Sequence, residues 1–288
     1  MPGENGSSGD SDGQLNDQGT ERTYYLYTPE SYDPDRPMPL VIVFHGHGGS
    51  GHSIAQVSRF NDLANQKGFI VVYPDGVKGE WSLRGRYPSK VNDVSFATAL
   101  LEHIQQIRNI DSRRIYATGF SKGAILTQAL ACKLPDRIAA FASVAGSLSI
   151  QFKPICHPPT TVSMLMINGT NDQSVHYQGD HDSTERGSLI SVPETVSFWR
   201  QNDGCASQPQ VRKLPDPNPK DRFFVNVSRY SGCSKGSEVI LASVVGGGHF
   251  WPGGASSDAS LKKFNQNLGF NASKTIWDFF QRHSLPSE

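Results

Sequence analysis

The chain has 288 residues, 36% of them hydrophobic and 19% charged, which is long enough for one large α/β domain or two small ones. Lys and Arg together number 27, as do Asp and Glu, so the formal net charge is zero. The sequence shows no basic stripe that would suggest nucleic-acid binding, and no apolar run is long enough to span a bilayer.

The first 21 residues are rich in Gly, Ser, Asp, Asn and Gln and contain almost nothing apolar. Such a composition predicts a disordered leader over residues 1–21, followed by a single folded domain over residues 22–288. The leader contains no charged-then-apolar signal peptide. We therefore expect that, if the protein is exported, its signal peptide has been removed from this chain.

Strands and helices alternate from residue 22 onward, which predicts a mostly parallel sheet with helices on both faces. The predicted strands lie near residues 22–28, 40–44, 69–73, 114–118, 139–144, 161–167 and 238–245. The predicted helices lie near residues 54–67, 94–108, 124–134, 194–202 and 274–283. Residues 206–221, rich in Pro, Gln, Asn and Lys, are predicted to form a surface excursion, and no internal repeat or interdomain linker is visible.

A glycine-rich loop, His45-Gly-His-Gly-Gly-Ser-Gly51, follows the second predicted strand. In acyl transfer, main-chain N–H groups stabilise the developing oxyanion, and an HG-rich loop after an early strand supplies one of them. We assign this task to the main-chain N–H of His47. The side chains of His45 and His47 are expected to pack and orient the loop.

The same loop also matches a dinucleotide-binding fingerprint, Gly46-x-Gly48-x-x-Gly51, with Asp75 after the next strand as the ribose-binding acid. Two points count against this interpretation. The His45-Gly46 pair has no task in a pyrophosphate site, and the later motifs would be left unexplained. We therefore disfavour the dinucleotide interpretation of this loop.

A nucleophile elbow, Gly119-Phe-Ser-Lys-Gly123, lies directly between an apolar strand and a helical pattern. The turn is so tight that a Cβ at either glycine would collide with neighbouring backbone, and Ser121 is held in a strained conformation at its tip. We predict that Ser121 is a nucleophile and that the main-chain N–H of Lys122 is the second oxyanion donor.

Two later strand ends supply an acid and a base in the order that such a nucleophile requires. Asp172 lies in the polar turn after the strand near 161–167, and His249 follows three glycines after the strand near 238–245. We predict that His249 takes the proton of Ser121 and that Asp172 orients the imidazole. Taken singly, Asp172 could be a turn-capping aspartate and His249 a surface histidine; the shared order and placement favour catalysis.

Four cysteines allow three pairings. We favour Cys132–Cys156 and Cys205–Cys233, because each bridge would close a loop around adjacent elements. Four buried free thiols in a cytosolic enzyme remain the alternative.

No CxxC or HxxxH spacing occurs, so no metal site is expected. One group of residues could bind a metal but is more typical of a solvated loop: His176, Asp180, His181 and Asp182.

With these motifs, the chain resembles the esterase family that groups polyhydroxybutyrate depolymerase-like enzymes with feruloyl and acetylxylan esterases. The likeness covers roughly residues 22–283. It rests on His45-Gly-His-Gly-Gly, Tyr73-Pro-Asp-Gly, Gly119-Phe-Ser-Lys-Gly, Asn168-Gly-Thr-Asn-Asp172, Trp199-x-x-x-Asp203-Gly-Cys205 and Gly247-Gly-His249-Phe-Trp-Pro-Gly. The resemblance implies an α/β-hydrolase fold, a triad of Ser121, His249 and Asp172, no cofactor and export. It also supports the Cys205–Cys233 pairing.

The chain departs from the family pattern at Lys122, where small or neutral residues are more usual, and we expect this side chain to point into solvent. Trp81 and Trp251 lie in motif-bearing loops, and aromatic walls suit a planar acyl group or a sugar face. We therefore predict that both bind substrate. The alternative for each is a packing residue beneath its loop.

These observations predict a secreted or periplasmic serine carboxylesterase for soluble hydroxycinnamoyl or acetyl esters of the plant polysaccharide type. A depolymerase for polyester or hydroxyalkanoate oligomers is the first alternative. A serine peptidase of the same fold and a carbohydrate-binding pseudo-hydrolase are the others. The expected partners are small-molecule, oligosaccharide or oligoester substrates, without nucleic acid or membrane. No appended binding domain is visible, which argues against attack on insoluble granules.

Overall fold

The computed structural model describes residues 8–82, 91–179, 188–218, 220 and 223–287. The strands in chain order are β1 (Gly9–Asp17), β2 (Thr20–Thr28), β3 (Met38–Phe44), β4 (Ile70–Pro74), β5 (Ile110–Phe120), β6 (Ala140–Val144), β7 (Met164–Gly169), β8 (Gln210–Lys213), β9 (Phe224–Tyr230) and β10 (Val239–Val245). The α-helices are α1 (Gly51–Ser58), α2 (Phe60–Lys67), α3 (Asp93–Ile107), α4 (Lys122–Lys133), α5 (Val192–Asn202), α6 (Ala259–Leu268) and α7 (Ala272–Phe280).

All of these strands belong to one sheet, in the order β1-β2-β4-β3-β5-β6-β7-β10-β9-β8. The six central strands, β4 to β10 in that order, run parallel, and antiparallel pairs flank them on both sides. The predicted mostly parallel sheet is therefore confirmed. No helix in the described part of the chain is long and apolar enough to cross a bilayer.

Strand β3 shows how helices cover both faces of the sheet. Leu40, Ile42 and Phe44 pack into a core shared with α3, α4 and α5. Val41 and Val43 point the other way, into a core shared with α1, α2 and α7. Because both faces are buried, the central strands read as continuous apolar runs in the sequence, which is why they could be predicted.

The parallel arrangement also determines where the functional loops meet. Strands β3, β5, β7 and β10 all point their carboxyl ends at one edge of the sheet. The glycine-rich loop, Ser121, Asp172 and His249 each follow one of these strands. They are therefore gathered at the edge where open α/β sheets bind ligands.

Residues 9–17 form a strand, which corrects the prediction of a disordered leader over residues 1–21. β1 pairs with β2 along its whole length, and Gln18 and Gly19 both have positive φ, 51° and 83°, as a two-residue hairpin turn requires. An exposed edge strand is held by main-chain hydrogen bonds to its neighbour, so its sequence needs little apolar content. Residues 1–7 lie outside the described residues.

The helix predicted over residues 54–67 is two helices, α1 and α2. Arg59 separates them in a left-handed conformation, with φ of 57°. The N–H of Arg59 donates to Ala55 O at 2.9 Å, which is the last helical hydrogen bond of α1. Helical periodicity continues across such a break, so the apolar pattern did not reveal it.

The C-terminal third contains three elements that were not predicted. The surface excursion at 206–221 contains β8, a short edge strand whose residues are all exposed. β9 has one buried residue, Val225, among half-buried and exposed positions, and α6 is largely exposed. β8 has no apolar periodicity. The prediction overlooked the alternating Val225 and Val227 of β9 and the helical spacing of Leu261, Phe264 and Leu268 in α6, which pack against the core.

The structure joins Cys132 to Cys156 and Cys205 to Cys233, so all four cysteines of the sequence are bonded. The first bridge links α4, the helix that follows the nucleophile elbow, to the segment between β6 and β7. The sequence separations are 24 and 28 residues. Both bridges match the favoured pairing.

We expect a variant carrying both Cys132→Ala and Cys156→Ala to lose about 2–5 kcal/mol of unfolding free energy, because the unfolded chain is no longer closed into a loop. Urea denaturation without reductant measures the loss. The matched control is the wild-type protein unfolded with reductant. Its unfolding free energy should then lie closer to that of the variant. Four free thiols in non-reduced wild-type protein would contradict the pairing.

Candidate active site

Ser121 lies between β5 and α4 in a backbone conformation that side chains rarely adopt, with φ of 54° and ψ of −116°. Its N–H donates to Val144 O at 3.0 Å, and its side chain makes no capping hydrogen bond to α4. A Cβ at Gly119 would lie 2.4 Å from Gly123 O, and one at Gly123 would lie 2.4 Å from Phe44 O. Close packing on both sides therefore requires the two glycines and maintains the strain at Ser121.

Asp172 and His249 form a hydrogen-bonded pair, with 2.7 Å between His249 Nδ1 and Asp172 Oδ2. The other oxygen of Asp172 accepts the N–H groups of Ser174 and Val175 at 2.7 and 2.8 Å. The carboxylate is almost fully buried, so these donors replace its water and hold it in place. With Nδ1 donating to Asp172, the nitrogen left for a substrate or nucleophile is Nε2.

Close contact between two loops brings His249 to Asp172. A Cβ at Gly169 would lie 2.3 Å from the carbonyl oxygen of Gly247, so only glycine permits this approach. The N–H of Asn171 then donates to the same Gly247 oxygen at 2.9 Å. The glycines before His249 therefore act as a packing surface for the loop that carries the acid.

The imidazole of His249 lies beside the nucleophile elbow. Its ring packs against the ring of Phe120, with 4.8 Å between centroids and 36° between the planes. Phe120 is the residue before Ser121. The structure thus brings all three residues of the predicted triad to one end of the sheet.

The glycine-rich loop lies directly against the nucleophile. A Cβ at Gly46 would be 3.3 Å from Ser121 Cβ. In the described part of the chain, the main-chain N–H groups of His47 and Lys122 have no protein acceptor. An oxyanion hole needs two such unpaired main-chain donors near the nucleophile.

His45 has the structural task that was expected for its side chain. Its ring is buried, with Nε2 accepting the Gly76 N–H at 2.9 Å and Nδ1 donating to Gly46 O at 2.7 Å. Burial lowers the pKa of this imidazole, which favours the neutral ring that these two hydrogen bonds require. His45 therefore ties the glycine-rich loop to the loop after β4.

Asp75, the ribose-binding acid of the dinucleotide alternative, also has structural hydrogen bonds. It accepts the Gly51 N–H at 2.7 Å and the Thr23 hydroxyl at 2.8 Å. A Cβ at Gly51 would lie 2.3 Å from Tyr73 O, so close packing explains that glycine. Neither residue is left free for a nucleotide.

Trp81 and Trp251 do not form open pocket walls, which corrects their assignment to substrate binding. Trp251 is 3% exposed, and its indole N–H donates to Ser273 Oγ at 3.0 Å. Trp81 is 9% exposed, and its N–H donates to His45 O at 2.8 Å. Both tryptophans pack beneath the catalytic loops. Contacts with residues far apart in the chain bury their rings, which the sequence alone does not reveal.

The Lys122 side chain does not point freely into solvent, which corrects a second expectation. Its ammonium donates to the carboxylate of Glu80, and the side chain is 19% exposed. The other oxygen of Glu80 contacts the ring of His47. Sequence analysis did not single out Glu80, since nothing in the local pattern around it indicates these partners.

Within the described ranges, no group of three or more His, Cys, Asp or Glu residues could hold a metal ion. His176 is described and exposed. The other members of the candidate cluster, Asp180, His181 and Asp182, lie outside the described residues.

A family model described as Esterase PHB depolymerase matches residues 22–153. The putative esterase NocK of Nocardia uniformis subsp. tsuyamanensis is 30% identical over 252 residues, which cover 82% of this chain and 72% of that protein. Feruloyl esterase B of Piromyces equi is 28% identical over 267 residues, which cover 90% of this chain. The matched region spans only 44% of the length of that relative.

Solved structures show the same fold. An acetyl xylan esterase from Aspergillus awamori aligns with a TM-score of 0.62 at 19% identity, covering 88% of this chain and 98% of that one. The feruloyl esterase module from Clostridium thermocellum aligns with a TM-score of 0.57 at 14% identity, covering 84% of this chain and 82% of that one. The predicted single-domain α/β-hydrolase fold is therefore confirmed.

Proposed function

The chain belongs to the esterase PHB depolymerase family, and on that premise we propose that it is a serine carboxylesterase working through an acyl-enzyme. One observation carries the proposal: the Asp172–His249 hydrogen bond of 2.7 Å lies beside a serine held at φ 54°. A buried acid, an imidazole oriented by it and a serine hydroxyl at the tip of a tight turn are the three parts that nucleophilic ester hydrolysis requires.

The proposed reaction begins when Ser121 Oγ attacks the ester carbonyl while His249 Nε2 takes the hydroxyl proton. The main-chain N–H groups of His47 and Lys122 stabilise the oxyanion of the tetrahedral intermediate. The same imidazole then gives its proton to the leaving alcohol, which yields the acyl-enzyme. Water repeats the sequence and releases the acid, while Asp172 stabilises the imidazolium in both steps.

The proposed substrates are soluble hydroxycinnamoyl or acetyl esters of the plant polysaccharide type. The names of the relatives support this class: a feruloyl esterase B, and a bifunctional acetylxylan esterase/xylanase from Neocallimastix patriciarum that is 27% identical over 273 residues. The family description favours polyester or hydroxyalkanoate oligomers as a second candidate. A carbohydrate-binding pseudo-hydrolase would not need the strained serine, the paired imidazole and the two free donors together.

We place the protein in an oxidising compartment, either outside the cell or in a periplasm. The support is physical, since disulfides persist where glutathione and thioredoxin do not reduce them. Both bridges, Cys132–Cys156 and Cys205–Cys233, would be stable there.

A panel of esters tests the substrate class. We expect kcat/KM to be higher for methyl ferulate or acetylated xylo-oligosaccharides than for 4-nitrophenyl palmitate or emulsified triglyceride. Soluble 3-hydroxybutyrate oligomers distinguish the second candidate, which gains support if they are the best substrates. If the folded protein hydrolysed none of the soluble esters, that result would contradict the carboxylesterase proposal itself.

A further inference from the structure

Glu80 connects the two residues whose main-chain N–H groups form the proposed oxyanion hole. One carboxylate oxygen contacts Nδ1 of His47, in the glycine-rich loop, and the other accepts Nζ of Lys122, at the start of α4. We propose that Glu80 is a positioning residue that holds these two donors at the separation needed for the oxyanion. The inference rests on the proposed function, because it assigns Glu80 a task in that reaction.

The main chain beneath Glu80 is itself fixed. The Gly79 and Glu80 N–H groups donate to Gly76 O and Val77 O at 2.9 and 3.1 Å, which closes a tight turn. The Gly48 N–H donates to Gly79 O at 2.9 Å, and a Cβ at Gly79 would lie 3.0 Å from Gly48 Cα. The carboxylate therefore extends from a turn already bound to the glycine-rich loop.

From this base the Glu80 side chain reaches the ammonium of Lys122, the residue whose main-chain N–H is the second proposed donor. The Lys122 ammonium comes from the first residue of α4, directly after Ser121, so its position depends on the elbow. The carboxylate bridges the glycine-rich loop and α4. These two elements follow different strands, β3 and β5. A change in the spacing of these elements would move one oxyanion donor relative to the other.

Charge gives a second reason for the pairing. A lone carboxylate near the hole would repel the developing oxyanion, and the Lys122 ammonium offsets that charge. The pair thus fixes geometry without adding net charge near the reacting carbonyl. Partly exposed ion pairs contribute little to folding stability. We therefore expect the effect of Glu80 on catalysis to exceed its effect on stability.

The test is kinetic. Glu80→Ala should lower kcat for a 4-nitrophenyl ester about tenfold and leave KM within about twofold, since an oxyanion hole acts mainly in the transition state. A trifluoromethyl ketone, which forms a hemiketal oxyanion on a serine, should lose affinity about tenfold as well. Glu80→Gln, which can still accept a hydrogen bond, should recover part of kcat.

The exposed Lys274–Asp278 pair on α7 provides a matched control. Asp278→Ala should leave kcat and ketone affinity unchanged.

Lys122→Met keeps its main-chain N–H and should also lower kcat. Adding it to Glu80→Ala should cost little more, because the two changes remove one interaction. If Glu80→Ala does not fold, Lys122→Met and Glu80→Gln carry the same test.

Unchanged kcat and ketone affinity in Glu80→Ala would overturn the positioning inference. A loss that appears only in KM would overturn it too, as would fully additive losses in the double variant. These outcomes are distinct from failure of the proposed function. If the proposed function were wrong, the Ser121→Ala variant would still hydrolyse the ester, whatever the effect of the Glu80 variants.

Discussion

Ser121→Ala is expected to lower kcat for a short 4-nitrophenyl ester by about 10⁴- to 10⁶-fold, the range found for serine triads. The reason is that His249 and Asp172 serve only to move and stabilise the proton of this hydroxyl. With the nucleophile gone, only oxyanion stabilisation and substrate binding remain. Initial rates at high enzyme concentration, compared with the uncatalysed reaction, measure the loss.

The backbone at Ser121 provides a control that separates catalysis from folding. Alanine carries the same Cβ as serine, so Ser121→Ala should keep the strain at φ 54° and a near-native melting temperature. Ser121→Gly should relieve the strain and raise stability by about 1 kcal/mol, while it is equally inactive. Hydrolysis near the wild-type rate in folded Ser121→Ala protein would rule out Ser121 as the nucleophile.

Asp172→Asn should lower kcat by about 10⁴-fold while the protein stays folded. The amide that replaces the carboxylate can donate to His249 Nδ1, which would put the imidazole hydrogen on Nε2, the nitrogen that must accept the proton of Ser121. The amide oxygen can still accept the N–H groups of Ser174 and Val175, which preserves the turn. Steady-state kinetics and a circular dichroism spectrum of the same sample test both statements.

The alternative acids in the following loop serve as the comparison for Asp172. Asp180→Asn and Asp182→Asn should each leave kcat within about threefold of wild type, as expected of residues outside a triad. Both lie outside the described residues, so this expectation rests on the sequence and on the contact that Asp172 makes. If Asp180→Asn were the inactive variant, the acid of the triad would have been assigned wrongly.

Much of the candidate site could be predicted because its residues are adjacent to strand ends. A buried parallel strand is an unbroken apolar run, and topology alone places the first residues that follow it at the carboxyl edge of the sheet. Ser121, Asp172 and His249 each occupy such a place. Glycines at fixed offsets add the tight turns that these loops need.

Elements at the rim of the fold could not be predicted in the same way. β1 and β8 are held by main-chain pairing to one neighbour, and their exposed side chains carry no apolar pattern. The break at Arg59 leaves helical periodicity intact on either side. Local sequence does not indicate which segment will pair with an edge strand or where a helix will be interrupted.

By itself, the sequence determined the chain order of the buried strands, the elbow around Ser121, and an acid and a histidine after the ends of later strands. Tertiary structure alone decided what surrounds these residues. It buried Trp81 and Trp251 under the loops, and it brought Glu80 to both His47 and Lys122. The physical reason is that such contacts join segments far apart in the chain, so their geometry depends on how the whole sheet and its helices pack.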